Sequence, residues 1–313
     1  MTYRSLKSFI NKNTQEHNSK IFDLMPHGIK SKIIFVVGNG ASNTAALLTS
    51  IMSACEIKYF HYLNDNIYIN KKFLQNGLTI PMELLCDNAE AILKATKKAI
   101  SNEDLFFNLA LSFCNNEYAI IEISEEYYSK IKDNISPYAI IFANEDSASL
   151  IENAHKDVKE IISLSYDDDF DYISTKTNKN GTRITLASPN KITISNSDLF
   201  GTSFYHYSYL YHISALDLNN ASLAHLAIES ASVLFSTPRP YIYKGLENAK
   251  VPHDFILYSL SPTVLLYEGE NNFKLHHRLK FKTVTENDIF EIPTKNTIFC
   301  GSKEYLEQIK QKL

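Results

Sequence analysis

Residues 35–48 limit most strongly what this chain can fold into. They read FVVGNGASNTAALL, which is an apolar run, a Gly38-Asn39-Gly40 turn and then apolar residues at helical spacing. A short, β-branched apolar run suits a buried parallel strand, and glycines allow a sharp turn into a helix. This order is typical of a loop that holds phosphate groups with its backbone N–H groups. The lysine of such a loop is missing, and Ala41 stands near its place.

Apolar strand patterns alternate with helical patterns through the first half of the chain. Strands are predicted at residues 32–37, 119–123 and 138–143, and helices at 44–55, 82–101 and 104–115. A weaker alternation over residues 59–73 predicts a hairpin around Asn64-Asp65-Asn66. Helices that alternate with apolar strands favour a mostly parallel sheet that is covered on both faces.

Beyond residue 160 the pattern changes. Short segments separated by Asp-rich or Asn-Gly turns predict a small antiparallel sheet at residues 161–164, 172–175, 183–186 and 191–195. A long helix is predicted at 219–235, and a second α/β unit begins near residue 258 and ends with a strand at 296–300 and a helix at 303–313. We therefore predict two domains, 1–240 and 241–313.

The bulk composition excludes several classes of protein. A formal net charge of −4 gives no basic field that would attract nucleic acid or anionic lipid. The apolar runs are too short to span a bilayer, and the first residues lack the apolar core of a signal peptide. The four cysteines are widely spaced, which favours buried thiols over a disulfide framework or a zinc site. We expect a cytoplasmic protein that binds neither nucleic acid nor membrane.

A series of short segments, taken in order, resembles one known family. The segments are residues 37–44, 64–70, 118–123, 218–221, 262–266 and 296–302. Together they are similar to motifs of the folylpolyglutamate synthase/dihydrofolate synthase family of the Mur ligase superfamily. The resemblance implies an α/β fold: a P-loop-type central domain with a mostly parallel sheet and a small antiparallel sheet, plus a truncated α/β C-terminal domain. It also implies ligation of glutamate to a folate or pteroate carboxylate, with ATP and Mg²⁺, through an acyl phosphate.

The same resemblance implies the candidate site residues. Nucleotide-binding candidates lie in the glycine loop and at two later asparagines: Gly38, Asn39, Gly40, Ser42, Asn43, Thr44, Asn220 and Asn271. The metal-binding candidate is Glu122, at the end of a predicted strand. Ala41 in place of the lysine removes a charge-assisted contact worth about 1.5–3 kcal/mol.

Other positions of the family pattern have also changed. A Ser-Pro-His segment that should follow Tyr62 is missing, and the glycine-rich run after Glu122 is replaced by residues 124–130. The Pro-Gly-Arg of the linker is Pro252-His253-Asp254, which predicts an anion where phosphates should bind. We therefore predict a diverged, catalytically inactive protein with a degenerate P-loop. Such a pseudoenzyme would be a ligand-binding or interaction module for a pterin or folate-like compound, a nucleotide or a protein partner.

Two enzyme readings remain as alternatives. The first is an active, ADP-forming folate–glutamate ligase with a rewired site. Its phosphates would be held by cations from elsewhere in the chain: Lys32, Lys58 or Arg239. The second is an unrelated reaction acquired in the same cleft. Its sequence support is a set of carboxylates: Glu125, Glu126, Glu145 and Asp146.

Three further patterns have a plain structural interpretation. Tyr205, Tyr207, Tyr209 and Tyr211 alternate as on one strand face, which favours a cross-strand aromatic ladder over a surface that stacks a pterin or a base. His276 and His277 would point to opposite sides of a strand, so a shared metal is not expected. The acidic run 167–171 reads as a solvated turn rather than as a cation site.

Overall fold

The computed structural model describes residues 1–17, 29–64, 68–143, 148–152, 154, 156–167 and 171–313. The tip of the hairpin predicted around residue 65, the carboxylates Glu145 and Asp146, and residues 168–170 of the acidic run lie outside the described residues. None of the described helices combines the length and the apolar character that crossing a bilayer would need.

The helices of the described ranges begin and end as follows: α1 (Tyr3–Lys12), α2 (Ala41–Ala54), α3 (Met82–Ala95), α4 (Asn102–Ser112), α5 (Glu125–Ile131), α6 (Ala148–Glu152), α7 (Asn219–Phe235), α8 (Arg239–Asn248) and α9 (Lys303–Lys312). The first eight strands are β1 (Lys32–Val37), β2 (Tyr59–Tyr62), β3 (Phe73–Gln75), β4 (Leu78–Thr79), β5 (Tyr118–Ile123), β6 (Ala139–Phe142), β7 (Glu160–Leu164) and β8 (Ile173–Thr177). The others are β9 (Arg183–Ala187), β10 (Thr193–Asp198), β11 (Gly201–His206), β12 (Tyr209–Ile213), β13 (Ile256–Leu260), β14 (Thr263–Glu268), β15 (Lys282–Thr285) and β16 (Thr297–Gly301).

The main sheet confirms the predicted parallel core. Its order is β4-β3-β2-β5-β1-β6-β7-β9-β8, and the strands from β2 to β9 in this order run parallel to one another. The edge strands β3, β4 and β8 pair antiparallel. Central strand β1 is buried on both faces because α2 and α7 cover one side and α4 and α5 cover the other. This double burial explains its unbroken apolar sequence.

The small antiparallel sheet exists, but its predicted membership was wrong. Of the four predicted segments, three form β7, β8 and β9 and extend the main sheet. Only the fourth, β10, belongs to a separate sheet of order β10-β11-β12. Ile161 and Ile162 are buried on opposite faces of β7, as a strand inside a covered sheet requires. Turn residues mark where strands end, but they do not tell which strands pair.

The four alternating tyrosines do not share one strand, contrary to the sequence prediction. Tyr205 is the last residue but one of β11, Tyr207 lies in the turn with a positive φ of 54°, and Tyr209 and Tyr211 belong to β12. Tyr205 is paired with Leu210 across the hairpin. Tyr207 instead stacks on Tyr172, with ring centroids 4.2 Å apart. A period of two persists through a tight hairpin, so alternation alone does not reveal the turn.

Serine caps fix the starts of several helices. The Oγ of Ser101 accepts the amide of Asp104 at 3.1 Å at the start of α4. The Oγ of Ser302 accepts the amide of Tyr305 at 3.3 Å at the start of α9. Each hydroxyl satisfies one N–H group that the first helical turn leaves without a partner.

The C-terminal strands form a third sheet of order β13-β14-β16-β15, with α9 packed on one face. Its other face contacts Leu216, which precedes α7. Helix α8 packs on α2, and the Ser50 hydroxyl donates to the Gly245 carbonyl at 2.7 Å. The division of the chain at residue 240 and the shortening of the C-terminal domain stay predictions.

Candidate functional site

The glycine turn connects the carboxyl end of β1 to the start of α2. Gly38 has a φ of +108°, a conformation that favours glycine. The Gly40 amide donates to the Ala143 carbonyl at 3.2 Å. A Cβ on Gly40 would lie 2.7 Å from that oxygen and 2.8 Å from Leu223 Cδ2. Glycine is therefore required here by the close approach of β6 and α7, whether or not an anion binds.

Most of the backbone donors in this turn have protein acceptors. Besides Gly40, Gly38 donates to the Ile123 carbonyl at 3.5 Å, Ala41 to the Gly38 carbonyl at 3.1 Å and Thr44 to the Gly40 carbonyl at 2.9 Å. The amides of Ser42 and Asn43 lie in the first turn of α2, where an N–H has no acceptor within the helix. The Thr44 side chain is fully buried and does not line a cavity at the loop. The turn thus offers an anion few donors.

Glu122, the predicted metal ligand, is 1 % exposed and already has three partners. His61 Nε2 lies 2.6 Å from its Oε1. The Ser42 hydroxyl donates to Oε2 at 2.7 Å, and the Asn64 amide donates to the same oxygen at 3.2 Å. A cation on Glu122 would have to displace or turn these groups. His61 was not among the residues predicted from the sequence, although a histidine within the buried strand β2 was the available signal.

A cavity of about 400 Å³ opens beside Glu122, and we call it the loop cavity. Its wall consists of Gly38, Asn39, Ala41, Ser42, Asn64, Glu122, Ile123, Ser124, Glu125, Glu126 and His253. These residues include three carboxylates and no lysine or arginine. A triphosphate placed here would meet negative charge and neutral dipoles, so the lining does not match a Mg²⁺–triphosphate in charge.

Ser124 and helix α5 (Glu125–Ile131) stand in place of the glycine-rich run that the resemblance implied. The Ser124 Oγ accepts the Tyr127 amide at 3.1 Å, which caps the helix. Tyr128 is buried between Phe35 and Phe142. Core packing thus fixes the helix beside the cavity, with Glu125 and Glu126 in its first turn.

The structure brings together only part of the carboxylate set that was the sequence support for an unrelated reaction. Glu125 and Glu126 line the loop cavity together with Glu122. The hydrogen bond from Lys130 lowers the pKa of Glu126, because it stabilises the ionised carboxylate. Glu126 is therefore held as an exposed ion rather than tuned as a proton donor at neutral pH. Glu145 and Asp146 fall outside the described residues.

A second cavity, of about 670 Å³, lies between α7, the linker after α8 and the C-terminal sheet, and we call it the interface cavity. Its wall consists of Asn39, Gly40, Asn43, Ala143, Leu164, Tyr166, Asp217, Asn219, Asn220, Ser222, Leu223, His253, Tyr267, Asn272 and Lys274. Asn39 and His253 belong to both walls, so the two cavities adjoin. Asn271 is exposed and outside the wall, while its neighbour Asn272 lies in it.

Asn43 connects the elements that meet at the interface cavity. Its Nδ2 donates to Asn220 Oδ1 at 2.7 Å and to the His253 carbonyl at 3.1 Å. Its Oδ1 accepts the His253 amide at 3.0 Å. The Asn220 Nδ2 is buried and has no acceptor among the described residues. Asn43 thus holds the linker against α2 and α7, and Asn220 keeps an unused donor at the wall.

Asp254 does not face a phosphate position, contrary to the sequence interpretation. Its carboxylate accepts the Leu216 amide at 2.9 Å and the Asp217 amide at 3.0 Å, and it lines neither cavity. The Asp254 carboxylate therefore holds residues 216–217, which precede α7, against the linker. Burial raises the pKa of Asp254 to about 6, opposed by these backbone N–H groups and assisted by the charge of Asp217.

We expect Asp254 to make folding less favourable as pH rises from about 4 to 6. The folded protein retains the Asp254 proton up to a pKa of about 6, whereas an unfolded aspartate loses it near 3.9. Since the folded state then binds more protons, stability falls with rising pH in this window, by about 3 kcal/mol in total. Asp254→Asn removes this contribution. Urea unfolding of the wild type and of Asp254→Asn between pH 4 and 7.5 tests this expectation. If the free energies of unfolding of the two proteins changed in parallel with pH, the expectation would be wrong.

The cations proposed for a rewired site lie elsewhere. Lys32 is at the amino end of β1, about 17 Å of strand from the loop, and its Nζ lies over the Tyr118 ring at 5.3 Å. Lys58 precedes β2 at the same edge, and Arg239 packs over the Tyr209 ring at 3.9 Å. None of the three lines either cavity. Lys274, which was not among the site residues predicted from the sequence, is the lysine in the interface cavity wall.

Comparison with known proteins places this architecture among solved structures. No protein-family model matches the sequence, and no curated protein matches it. A complex of folylpolyglutamate synthase with AMPPCP and folate matches with a TM-score of 0.70 and 12% identity, over 100% of this chain and 99% of that one. The apo L. casei enzyme matches with 0.68 and 11%, over the same shares. The bifunctional folylpolyglutamate synthase/dihydrofolate synthase from Yersinia pestis CO92 gives 0.63 and 12%, over 99% and 97%.

The match runs over nearly the full length of both chains in these three cases, at identities of 11% to 12%. At this identity the similarity concerns the fold. It confirms at that level the resemblance predicted from the order of short motifs. The chain has the fold of folylpolyglutamate synthase.

Proposed function

We propose that this protein binds a small heteroaromatic ligand, of nucleoside or pterin type, in the interface cavity and does not catalyse ATP-dependent glutamate ligation. The main observation behind the proposal is that the Glu122 carboxylate is already fully hydrogen-bonded within the protein. Both of its oxygens are engaged by His61, Ser42 and the Asn64 amide, next to a glycine turn without lysine.

Forming an acyl phosphate requires that protein and metal neutralise the charge that spreads over the transferred phosphoryl group. The loop cavity brings Glu122, Glu125 and Glu126 together without a lysine or arginine in its wall. Binding of Mg²⁺ to Glu122 would break the hydrogen bonds that stabilise this buried carboxylate. A bound triphosphate would then remain beside the other two carboxylates. This arrangement supports a protein in which phosphoryl transfer has been lost.

The interface cavity supports ligand binding. Its volume of about 670 Å³ lies within the usual range for small-molecule sites. Its wall offers several asparagine amides and two tyrosines, Tyr166 and Tyr267, which suit the polar edge and the flat face of a heterocycle. Lys274 adds one positive charge for a carboxylate or a single phosphate. Solved structures of the same fold hold AMPPCP and folate.

Isothermal titration of the full chain with adenosine, AMP, ATP and folate, each with and without Mg²⁺, tests the binding half of the proposal. We expect measurable binding of one ligand class that does not depend on Mg²⁺ and that weakens in Tyr267→Ala. Glu126→Ala, at the loop cavity, is the matched control and should leave binding unchanged. Binding of no ligand by the wild type would contradict this half.

The catalytic half is tested separately by ADP release from ATP with folate and glutamate. We expect no turnover above a no-enzyme control. Sustained ADP formation that disappears in Glu122→Gln would contradict the proposal and favour an active ligase. In that case Lys274, which lines the interface cavity, would be the cation that contacts the phosphates, and Lys274→Ala would lower the rate of ADP formation.

A further inference from the structure

Three buried side chains form a cluster away from both cavities. His206 ends strand β11, and His225 and Glu229 lie on α7. One nitrogen or oxygen atom of each lies within 4.8 Å of those of the other two. The exposed fractions of the three residues are 4 %, 0 % and 5 %. Ionisable groups are rarely buried in this way unless they are paired or bind a metal.

The backbone geometry brings these side chains together. His225 and Glu229 are four residues apart on one helix, so they occupy the same face. His206 reaches that face from the neighbouring sheet, with its Nε2 2.9 Å from Glu229 Oε1. The His206 and His225 rings approach with centroids 4.8 Å apart. A helix i, i+4 pair plus one residue from another element is a geometry that metal sites use.

The hydrogen bonding of His225 leaves a lone pair unused. Its Nε2 lies 3.3 Å from the Tyr172 carbonyl oxygen. A carbonyl only accepts, so Nε2 carries the hydrogen and Nδ1 carries the lone pair. The Nδ1 atom is buried and has no partner among the described residues. A histidine that donates one ring N–H to a backbone carbonyl is arranged as metal-ligating histidines usually are.

We propose that His206, His225 and Glu229 form a binding site for a divalent first-row transition-metal ion, with Zn²⁺ as the representative ion. Two imidazoles and one carboxylate are a donor set that suits Zn²⁺ and its neighbours and leaves one position for water. Mg²⁺ and Ca²⁺ prefer all-oxygen sites. Ligand atoms about 2.0–2.2 Å from a tetrahedral ion lie about 3.4 Å from one another. Since the ligand atoms here are up to 4.8 Å apart, the side chains must rotate so that these atoms move by about 1 Å.

The surroundings suit an ion that stabilises the fold. Tyr172 packs edge-on to His206 at 5.8 Å and stacks with Tyr207, whose ring also contacts His206 with centroids 4.7 Å apart. An ion here would join the β11–β12 hairpin to α7, elements that share few other polar contacts among the described residues. We therefore expect the ion to raise thermal stability.

The test uses the full chain without an affinity tag, stripped with EDTA and titrated with Zn²⁺ against a chromophoric chelator. We expect one equivalent to bind, and the unfolding temperature to rise with Zn²⁺ but not with Mg²⁺. Glu229→Gln keeps an oxygen acceptor for His206 but removes the charge, and it should weaken Zn²⁺ binding by at least about tenfold. His206→Gln should do the same, and circular dichroism without metal checks that both variants are folded.

A surface pair provides the matched control. Contrary to the sequence prediction, His276 and His277 do not lie on a strand with opposite directions: they lie between β14 and β15 with ring centroids 4.1 Å apart, so they could hold adventitious zinc. The double variant His276→Ala/His277→Ala should bind Zn²⁺ as the wild type does. Loss of binding in this variant, or full binding in both Glu229→Gln and His206→Gln, would overturn the proposal, as would no stoichiometric binding by the wild type.

Discussion

Replacing Glu122 by alanine is expected to lower the free energy of unfolding by about 3–5 kcal/mol. The substitution leaves the His61 ring N–H, the Ser42 hydroxyl and the Asn64 amide without their acceptor beside a buried position. Unsatisfied buried donors cost more than the hydrogen bonds contribute, because the desolvation of each group is no longer compensated. Urea unfolding followed by circular dichroism measures the change.

Glu126→Ala is the control for this experiment. It lies at the same cavity and loses only an exposed contact to Lys130, so its stability should change by less than about 0.5 kcal/mol. If Glu122→Ala unfolds at the wild-type urea midpoint, then the carboxylate is not held by these three groups. The proposal that Glu122 is withdrawn from metal binding would then lose its main support.

Gly245→Ala is expected to destabilise the fold by about 3 kcal/mol, although alanine is the better helix former. A Cβ at Gly245 would lie 2.4 Å from Ile51 Cα and 2.8 Å from Ile51 N. These are backbone atoms of α2, so the clash is relieved only if the two helices move apart. That movement would also stretch the 2.7 Å hydrogen bond from Ser50.

Glu247→Ala on the exposed face of α8 is the matched substitution, and its effect should stay within about 0.5 kcal/mol. A calorimetric scan of both variants separates the two effects. Equal unfolding temperatures for the two variants would show that α8 can shift away from α2 without loss.

The sequence predicted those parts of the fold whose patterns are local. Strand β1 and helix α7 were placed at their observed bounds, because each is a long, mostly buried segment whose turn residues lie close to its ends. Helix α5 was missed because its seven residues are shorter than most helical patterns. The partners of β7 and β9 were misassigned, since pairing depends on residues far apart in the chain.

The site was predictable to a lesser extent. The motif order located the loop cavity and Glu122. It did not predict that the carboxylate is hydrogen-bonded, because that depends on His61 from another strand. Asp254 was predicted as an anion facing phosphates, yet its direction is set by the amides of Leu216 and Asp217. Side-chain direction follows from such tertiary contacts, which a single sequence does not contain.

The central position of β1 has a consequence for the synthesis of this protein. Its partners are distant in the chain, since Lys32 pairs with Tyr118 in β5 and Ile34 with Ala139 in β6. At a translation rate of about 5–20 residues per second, β1 waits roughly 4–17 seconds for β5 to be made. Throughout that interval an apolar strand with two unpaired edges is exposed on the nascent chain. Strand β1 is therefore a segment through which the nascent chain is prone to aggregate before β5 and β6 are made.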